Sequence, residues 1–243
     1  MRYKQLGKTD LKVSVVAMGT WAIGGDAWGK VEDAESIAAI QKAIDCGINL
    51  IDTAPAYGVG HSEEIVGKAI KGRRDQVIIA TKCGVMRDGG RYRRTLKPES
   101  IRKEIDASLS RLGVDVIDLY QIHWPDPTTP LEDSLEELVK IKKAGKFRYL
   151  GVSNFDTNLL RQAMEITDIV SLQPPYSLLD REIEKEILPF CKEHRLGVLA
   201  YGPLGGGILT GKFTEPPQFG KGDPRGGFYP YFKEPYWSKA MKL

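Results

Sequence analysis

Short β-branched runs alternate with amphipathic helical segments along most of this chain, and this alternation constrains the fold more than any other feature. Between the runs, isoleucine and leucine recur every three or four residues, for example at Ile101, Ile105 and Leu109, as expected for helices that bury one face. Parallel strands joined by crossover helices produce this order, so we predict an α/β fold. The seven predicted strands cover residues 13–20, 49–53, 77–82, 115–123, 147–153, 169–174 and 197–201.

A barrel explains this pattern better than an open, doubly wound sheet. The glycine fingerprint of dinucleotide-binding open sheets does not follow the first strand, and the glycines at 205–207 come only after the seventh. A length of 243 residues also suits one barrel. We therefore predict a single (β/α)8 TIM-barrel-type domain over residues 1–243, with an N-terminal β-hairpin at residues 2–14 that turns at 7–10.

The predicted barrel is incomplete at its C-terminal end. Eight βα units close such a barrel, but the sequence provides only seven strands, and residues 214–237 are rich in proline, glycine and aromatic side chains. Seven strands would leave two unpaired sheet edges. We therefore expect the C-terminal part of the fold to be absent, and the chain to be a fragment, a truncated form or the ordered part of a longer protein.

Composition and charge exclude several classes of protein. Thirty-five basic and 32 acidic residues leave a net charge of only +3, so the sequence predicts no nucleic-acid partner. No apolar run approaches the roughly 20 residues that span a bilayer, and no secretory signal is found, so we expect a cytoplasmic protein without membrane contact. Three widely spaced cysteines, Cys46, Cys83 and Cys191, favour reduced, packed thiols over a disulfide or a metal site.

Polar side chains close successive predicted strands. Because the C-terminal strand ends of a barrel converge on its active site, we expect these side chains to lie together. Asp52 and Lys82 end neighbouring strands and can form an ion pair, which would compensate for the burial of both charges. Each residue also has a purely structural explanation, such as a core histidine or a helix cap, but the combination favours a functional site. The residues at these strand ends are Asp52, Lys82, His123, Ser153, Asn154, Gln173 and Tyr201.

Tyr57 can join this group, because it lies five residues after Asp52 in a loop that can fold back over the strand ends. A neighbouring Lys82 ammonium favours the phenolate, so we expect the pKa of Tyr57 to fall below its usual value of about 10. His123 can donate to, or accept from, the same reacting oxygen. Such a phenol could act as a general acid toward a carbonyl oxygen.

Several motifs resemble those of the aldo-keto reductase superfamily, and in particular its bacterial branch related to inositol-utilisation and general-stress reductases. The resemblance covers nearly the whole chain. The matching motifs are MGTW at 18–21, INLIDTAPAYGVGHSEEIVGKAI at 48–70, IATKCG at 79–84, LYQIHWPD at 119–126, GVSNF at 151–155, LQPPYSLLDR at 172–181 and AYGPLGGGILTGKF at 200–213.

The resemblance implies an oxidoreductase that transfers hydride between a nicotinamide cofactor and an aldehyde or ketone. NADPH would be the usual cofactor, with NAD possible, and the partner would be a small carbonyl compound. The family's catalytic tetrad matches Asp52, Tyr57, Lys82 and His123. By this resemblance, Tyr57 would protonate the carbonyl oxygen, Lys82 and Asp52 would set the pKa of Tyr57, and His123 would orient the carbonyl.

The resemblance also implies where cofactor and substrate bind. Ser153, Asn154 and Gln173 would bind the carboxamide, Tyr201 would stack on the nicotinamide, and a glycine-rich turn would follow the pyrophosphate. The full cofactor set is Thr20, Trp21, Asp52, Ser153, Asn154, Gln173, Tyr201, Gly202, Pro203, Leu204, Gly206 and Lys212, and the substrate pocket set is Trp21, Trp28, Tyr57, His123 and Trp124.

Two other functions remain open at this point. Lys82 could form a Schiff base with a carbonyl substrate, as in barrel aldolases, which would make the protein a lyase. Alternatively, the chain could be a non-catalytic module that binds a nucleotide for regulation. If the chain is truncated, the family segment that clasps the adenosine 2′-phosphate is missing with the eighth unit, and we expect much reduced cofactor affinity.

Overall fold

Seven parallel strands form the central sheet, in agreement with the sequence-based prediction. The structure is a computed structural model and describes residues 1–25, 29, 31–88, 91–220 and 223–242. Its strands are β1 Tyr3–Gln5, β2 Lys12–Ser14, β3 Met18–Gly19, β4 Leu50–Asp52, β5 Ile78–Cys83, β6 Val85–Asp88, β7 Arg91–Arg94, β8 Ile117–Ile122, β9 Phe147–Ser153, β10 Ile169–Gln173 and β11 Gly197–Val198. The sheet order is β3, β4, β5, β8, β9, β10 and β11, as in a TIM-type barrel with seven of its strands present.

Helices cover the outer face of the sheet. The apolar residues at helical spacing, such as Ile101 and Ile105, are fully buried and pack in the main core between helices and strands. Every residue of β8 and of β10 is buried, so both faces of these strands are covered, which explains their nearly continuous apolar sequences. The helices are α1 Asp33–Asp45, α2 His61–Ala69, α3 Pro98–Leu112, α4 Leu131–Lys143, α5 Thr157–Ile166, α6 Ile187–Glu193, α7 Arg225–Phe228 and α8 Tyr236–Ala240.

The N-terminal hairpin β1–β2 packs against the end of the sheet where the parallel strands begin. Its strands pair antiparallel and turn at residues 7–10, as predicted. Leu6 and Leu11 beside the turn are buried in one cluster with Leu50 and Leu119 of the sheet. The hairpin therefore fills the N-terminal end of the interior, and the opposite, C-terminal end is left for a site.

The structure differs from the sequence-based prediction in two places. The run at 13–20 is not one strand, because its first residues belong to the hairpin and only β3 joins the sheet. The hairpin β6–β7, directly after β5, was missed. Its second strand reads Arg-Tyr-Arg-Arg and is exposed along its whole length, so it lacks the apolar alternation that identifies a half-buried strand.

The two ends of the sheet, β3 and β11, are not joined by a further strand within the described residues. After β11 the chain forms short helical turns, including α7 and α8, instead of an eighth strand in the part that the structure describes. Ile208, Phe232 and Trp237 form a separate small core there. The aromatic residues of this segment are thus ordered by packing on one another.

The cysteine prediction holds for two of the three residues. Cys83 and Cys191 are buried free thiols, whereas Cys46 is exposed, so the expectation that all three pack in the interior is wrong for Cys46. Cys46 directly follows the last residue of α1, where the chain turns at the surface. Over the described ranges, none of the helices has the length and apolarity needed to cross a membrane.

Candidate active site

Four side chains from separate parts of the sequence meet at the C-terminal edge of the sheet. Asp52 ends β4, Lys82 lies in the adjacent strand β5, and His123 directly follows β8. Tyr57 reaches the same place from the loop after β4. The parallel arrangement brings all these strand ends to one edge, which is why the sequence could predict the cluster.

A close backbone contact fixes the Tyr57 loop. A Cβ atom on Gly24 would lie 2.6 Å from the backbone nitrogen of Gly58. The two segments of the chain can therefore approach this closely only with glycine at position 24. The ring of Tyr57 also lies beside Trp21, with 6.2 Å between ring centroids. The phenol is therefore held over the strand ends from two sides.

Lys82 is the centre of the polar cluster, and its side chain is 0% exposed. Its Nζ atom donates to Asp52 Oδ2 at 2.7 Å, to the carbonyl oxygen of Thr53 at 2.9 Å and to Tyr57 Oη at 3.3 Å. These three acceptors match the three donors of an ammonium group. The buried charge is thus paired and fully hydrogen-bonded, as a buried lysine requires.

The ionisation of Lys82 and Tyr57 follows from this geometry. Burial alone would lower the pKa of Lys82, but the charge of Asp52 and the contacts with Asp52 and Tyr57 raise it above its usual value. Burial raises the pKa of Tyr57, and the Lys82 charge offsets this only in part because Asp52 acts in the opposite direction. The expected fall in the pKa of Tyr57 is therefore wrong for this structure: at neutral pH the phenol keeps its proton.

The ring of His123 lies beside that of Tyr57. Their rings meet edge to face with 5.9 Å between centroids. Burial, followed by the charges of Lys82 and Arg94, lowers the pKa of His123 well below its usual value. The imidazole is therefore neutral at neutral pH and has one N–H donor and one acceptor.

Asp52 is held by more than its ion pair. Its Oδ1 atom accepts hydrogen bonds from Gln173 Nε2 at 2.8 Å and from Gln121 Nε2 at 3.4 Å. Gln121 is fully buried and was not among the predicted site residues. It lies two residues before His123 on β8, so the alternation of side chains along a strand could have shown that it faces the interior.

The residues predicted to bind a carboxamide form a connected network. Ser153 Oγ donates to the carbonyl oxygen of Gln173 at 2.7 Å, and Asn154 Nδ2 donates to that of His123 at 3.0 Å. Tyr201 Oη donates to Asn154 Oδ1 at 2.9 Å. Asn154 also has a positive φ of 61°, a backbone conformation that asparagine tolerates better than most residues. The network joins the predicted cofactor side of the site to His123.

One cavity of about 1390 Å³ joins these groups and continues along β11 to the N-terminal hairpin. Trp28 of the predicted substrate pocket lies outside the described residues. Phe228 and Tyr229, which the sequence analysis missed, also line the cavity, and Phe228 meets the Trp21 ring edge to face at 5.4 Å. The predicted site residues that line it are Thr20, Trp21, Asp52, Tyr57, His123, Trp124, Ser153, Asn154, Gln173, Tyr201, Gly202 and Pro203.

Lys82 lies behind the lining residues, and the other remaining predicted residues, Leu204, Gly206 and Lys212, do not line the cavity either. Leu204 and Lys212 are exposed, and the backbone of Gly206 is packed against the ring of Tyr229. Their proposed contacts with a pyrophosphate stay predictions. Among the described residues there is no group of three or more His, Cys, Asp or Glu side chains that could hold a metal ion.

Comparison with known proteins adds independent information. The model of the aldo/keto reductase family matches residues 15–242. The chain is 45% identical over 243 residues to the aldo-keto reductase YhdN of Bacillus subtilis (strain 168), covering 99% of this chain and 73% of that protein. It is 43% identical over 230 residues to the NADH-specific methylglyoxal reductase of Escherichia coli (strain K12), covering 88% and 71%. The glycerol dehydrogenase structure from Gluconobacter oxydans superposes with a TM-score of 0.89 at 44% identity, covering 98% of this chain and 74% of that one.

Proposed function

This chain belongs to the aldo/keto reductase family, and from that premise we propose that it reduces a small aldehyde or ketone with hydride from NADPH and a proton from Tyr57. One observation carries the proposal: a charged lysine, Lys82, lies 3.3 Å from the Tyr57 phenol and 2.7 Å from Asp52. A cavity opens beside this phenol and can admit a carbonyl group. Carbonyl reduction is the chemistry that such a proton donor serves.

The proton on Tyr57 is available at neutral pH, because burial raises the pKa of the phenol. As negative charge develops on a carbonyl oxygen, Tyr57 donates its proton to that oxygen. The resulting phenolate lies beside the fully buried Lys82 ammonium, which stabilises it more strongly than a solvated charge would. Asp52 holds Lys82 in place throughout, and Gln173 in turn donates a hydrogen bond to Asp52. Neutral His123, whose ring contacts that of Tyr57, can donate a hydrogen bond to the same carbonyl oxygen and fix its direction.

The residues present fit a nicotinamide cofactor. The amide and hydroxyl groups of Asn154 and Ser153, together with the ring of Tyr201, line the cavity and can hold a carboxamide and an aromatic ring. The bound cofactor would supply the hydride there. NADPH follows from the family resemblance, whereas the NADH-specific relative makes NADH the alternative. Reduction assays with both cofactors decide between them.

The structure gives no support to a Schiff-base lyase. A nucleophilic amine must lose its proton, but Asp52 and Tyr57 raise the pKa of Lys82, and all three of its N–H donors are engaged. A purely regulatory nucleotide-binding role would not need the ion pair beside a protonated phenol. The cytoplasmic location expected from the sequence stays a prediction.

Replacing Tyr57 with phenylalanine tests the proposed role directly. We expect kcat for reduction of methylglyoxal or another small aldehyde to fall about 10²- to 10⁴-fold, the usual contribution of a general acid. Cofactor affinity, measured by fluorescence titration, should be unchanged. The measurement is oxidation of NADPH or NADH followed by absorbance.

Tyr149→Phe is the matched control, because it removes the same hydroxyl at the opposite end of the barrel, where Tyr149 Oη donates to Asp10 Oδ1 at 2.9 Å. This variant should retain wild-type turnover. If Tyr57→Phe reduces aldehydes as fast as the wild type, Tyr57 is not the proton donor. If the wild type reduces no carbonyl compound with either cofactor, the proposed activity itself is refuted.

A further inference from the structure

The hairpin β6–β7 brings a cation to the substrate end of the cavity. It begins three residues after Lys82, and its residues Tyr92 and Arg94 line the cavity wall. Neighbouring side chains of a strand point to opposite faces, and accordingly Arg91 and Arg93 of the same strand do not line the cavity. Only one face of this arginine-rich strand is therefore directed toward the site.

Arg94 is held by stacking on Trp124. Its guanidinium carbon lies 4.4 Å from the centroid of the Trp124 ring, and Trp124 directly follows His123. Stacking occupies the face of the guanidinium but leaves the N–H groups at its edge available to a ligand. The charge of Arg94 reaches the site, since it contributes to the lowered pKa of His123.

The charges around the cavity are unbalanced. Among the residues that the structure describes, the only carboxylate that lines the cavity is Asp52, and Asp52 is already paired with Lys82. No acidic side chain forms an ion pair with Arg94 in the described ranges. The other lining cations, Lys4, Lys192 and Arg195, are remote from this end, because they lie near the N-terminal hairpin and β11.

We propose that Arg94 binds an anionic group of the carbonyl substrate, so that the preferred substrates are small aldehydes or ketones carrying a carboxylate or a phosphate. This inference rests on the proposed function and deepens it. The planar guanidinium forms paired hydrogen bonds with either group. With the anion on Arg94 and the carbonyl oxygen between Tyr57 and His123, the substrate is bound at two points and the reacting carbon is oriented.

The test compares matched substrates. One pair is 4-oxobutanoate and butanal, and the other is glyceraldehyde 3-phosphate and glyceraldehyde. Within each pair only the first compound is an anion, and the two pairs test a carboxylate and a phosphate separately. For the wild type we expect kcat/KM to be at least about tenfold higher for the anion in one pair or both. Arg94→Gln should lower kcat/KM for the favoured anion about 10- to 100-fold, as expected for loss of hydrogen bonds between charged groups, and change that of the neutral partner less than about twofold.

Arg93→Gln provides the matched control, since it removes the same charge from the adjacent position of β7, away from the cavity. It should leave kcat/KM unchanged for both the charged and the neutral substrate. Raising the salt concentration should reduce the preference for the anion, because the Arg94 side chain is exposed and its charge is screened. Equal losses for charged and neutral substrates in Arg94→Gln, or no preference in the wild type, would overturn the proposal.

A binding measurement separates this proposal from the proposed activity. Calorimetric titration of the protein and cofactor with 4-oxobutanoate or glyceraldehyde 3-phosphate should show binding that weakens about tenfold or more in Arg94→Gln. Equal dissociation constants would refute the anion site whatever the turnover. Binding that depends on Arg94 without any reduction would support the anion site and contradict the reductase.

Discussion

Glu104 lies next to the strand that carries Lys82 and provides a quantitative test of the buried electrostatics. It projects from α3, is 7% exposed, and accepts a hydrogen bond from the backbone nitrogen of Gly84 at 2.9 Å and another from Ser100 Oγ at 3.0 Å. Burial raises its pKa from 4.5 to about 7, since the two hydrogen bonds offset only part of the burial effect. The perturbation is Glu104→Gln, which removes the charge and keeps the shape.

The sign follows from proton linkage. Between pH 4.5 and 7 the folded state holds a proton on Glu104 that the unfolded state has lost. The contribution of Glu104 to the free energy of unfolding therefore falls as the pH rises through this range. Below pH 4.5 the contribution is fully favourable, and above pH 7 it is lost. A tenfold change in proton affinity corresponds to about 1.4 kcal/mol, so the loss is roughly 3 kcal/mol. Glutamine does not titrate, so this loss is absent in the variant.

The assay is urea unfolding of the wild type and Glu104→Gln, followed by circular dichroism from pH 4.5 to 8. The free energy of unfolding of the variant minus that of the wild type should increase by roughly 3 kcal/mol across this interval. A constant cost of placing an amide against the Gly84 nitrogen cancels in this comparison. Glu99→Gln, an exposed change on the same helix, should show no comparable increase. A difference between Glu104→Gln and wild type that does not change with pH would refute the reasoning.

Two further predictions concern packing and the charge beside the phenol. Gly67→Ala should lower the free energy of unfolding by about 1–3 kcal/mol in thermal or urea denaturation, because the new Cβ would lie 2.7 Å from the carbonyl oxygen of Arg111, whereas Gly227→Ala, with open space around it, should not. Asp52→Asn should move the basic limb of the kcat/KM profile to lower pH, because the Asp52 charge raises the pKa of both Lys82 and the phenol beside it; an unmoved limb would contradict this assignment.

The sheet and the polar cluster could be predicted from the sequence for the same physical reason. Strands covered on both faces are nearly continuous apolar runs, so a charge such as Asp52 or Lys82 at the end of one is conspicuous. Parallel topology then brings such ends together. The structure confirms this arrangement: Lys82 Nζ contacts both Asp52 and Tyr57, which are 30 and 25 residues away in sequence.

Other features carry no comparable sequence signal. The strand of Arg91–Arg94 has no buried face, so its pairing with β6 and the position of Arg94 at the cavity depend on tertiary structure. The same holds for Phe228, which reaches Trp21 from a distant segment of short helices. Their positions follow from packing partners that are remote in the chain, which local periodicity does not encode.

The pKa of Tyr57 is raised even though a lysine ammonium lies beside the phenol. Burial raises the pKa of Tyr57 and outweighs the Lys82 charge, which favours the phenolate and is opposed by the charge of Asp52. This balance favours a proton donor, because the free site keeps the phenol protonated. In the proposed reaction the attraction between Lys82 and the phenolate is realised only as the proton leaves Tyr57. An interaction that is stronger in the transition state than in the ground state is what accelerates a reaction. The raised pKa therefore keeps the proton on Tyr57 in the resting site, and Lys82 stabilises the phenolate only as that proton is transferred.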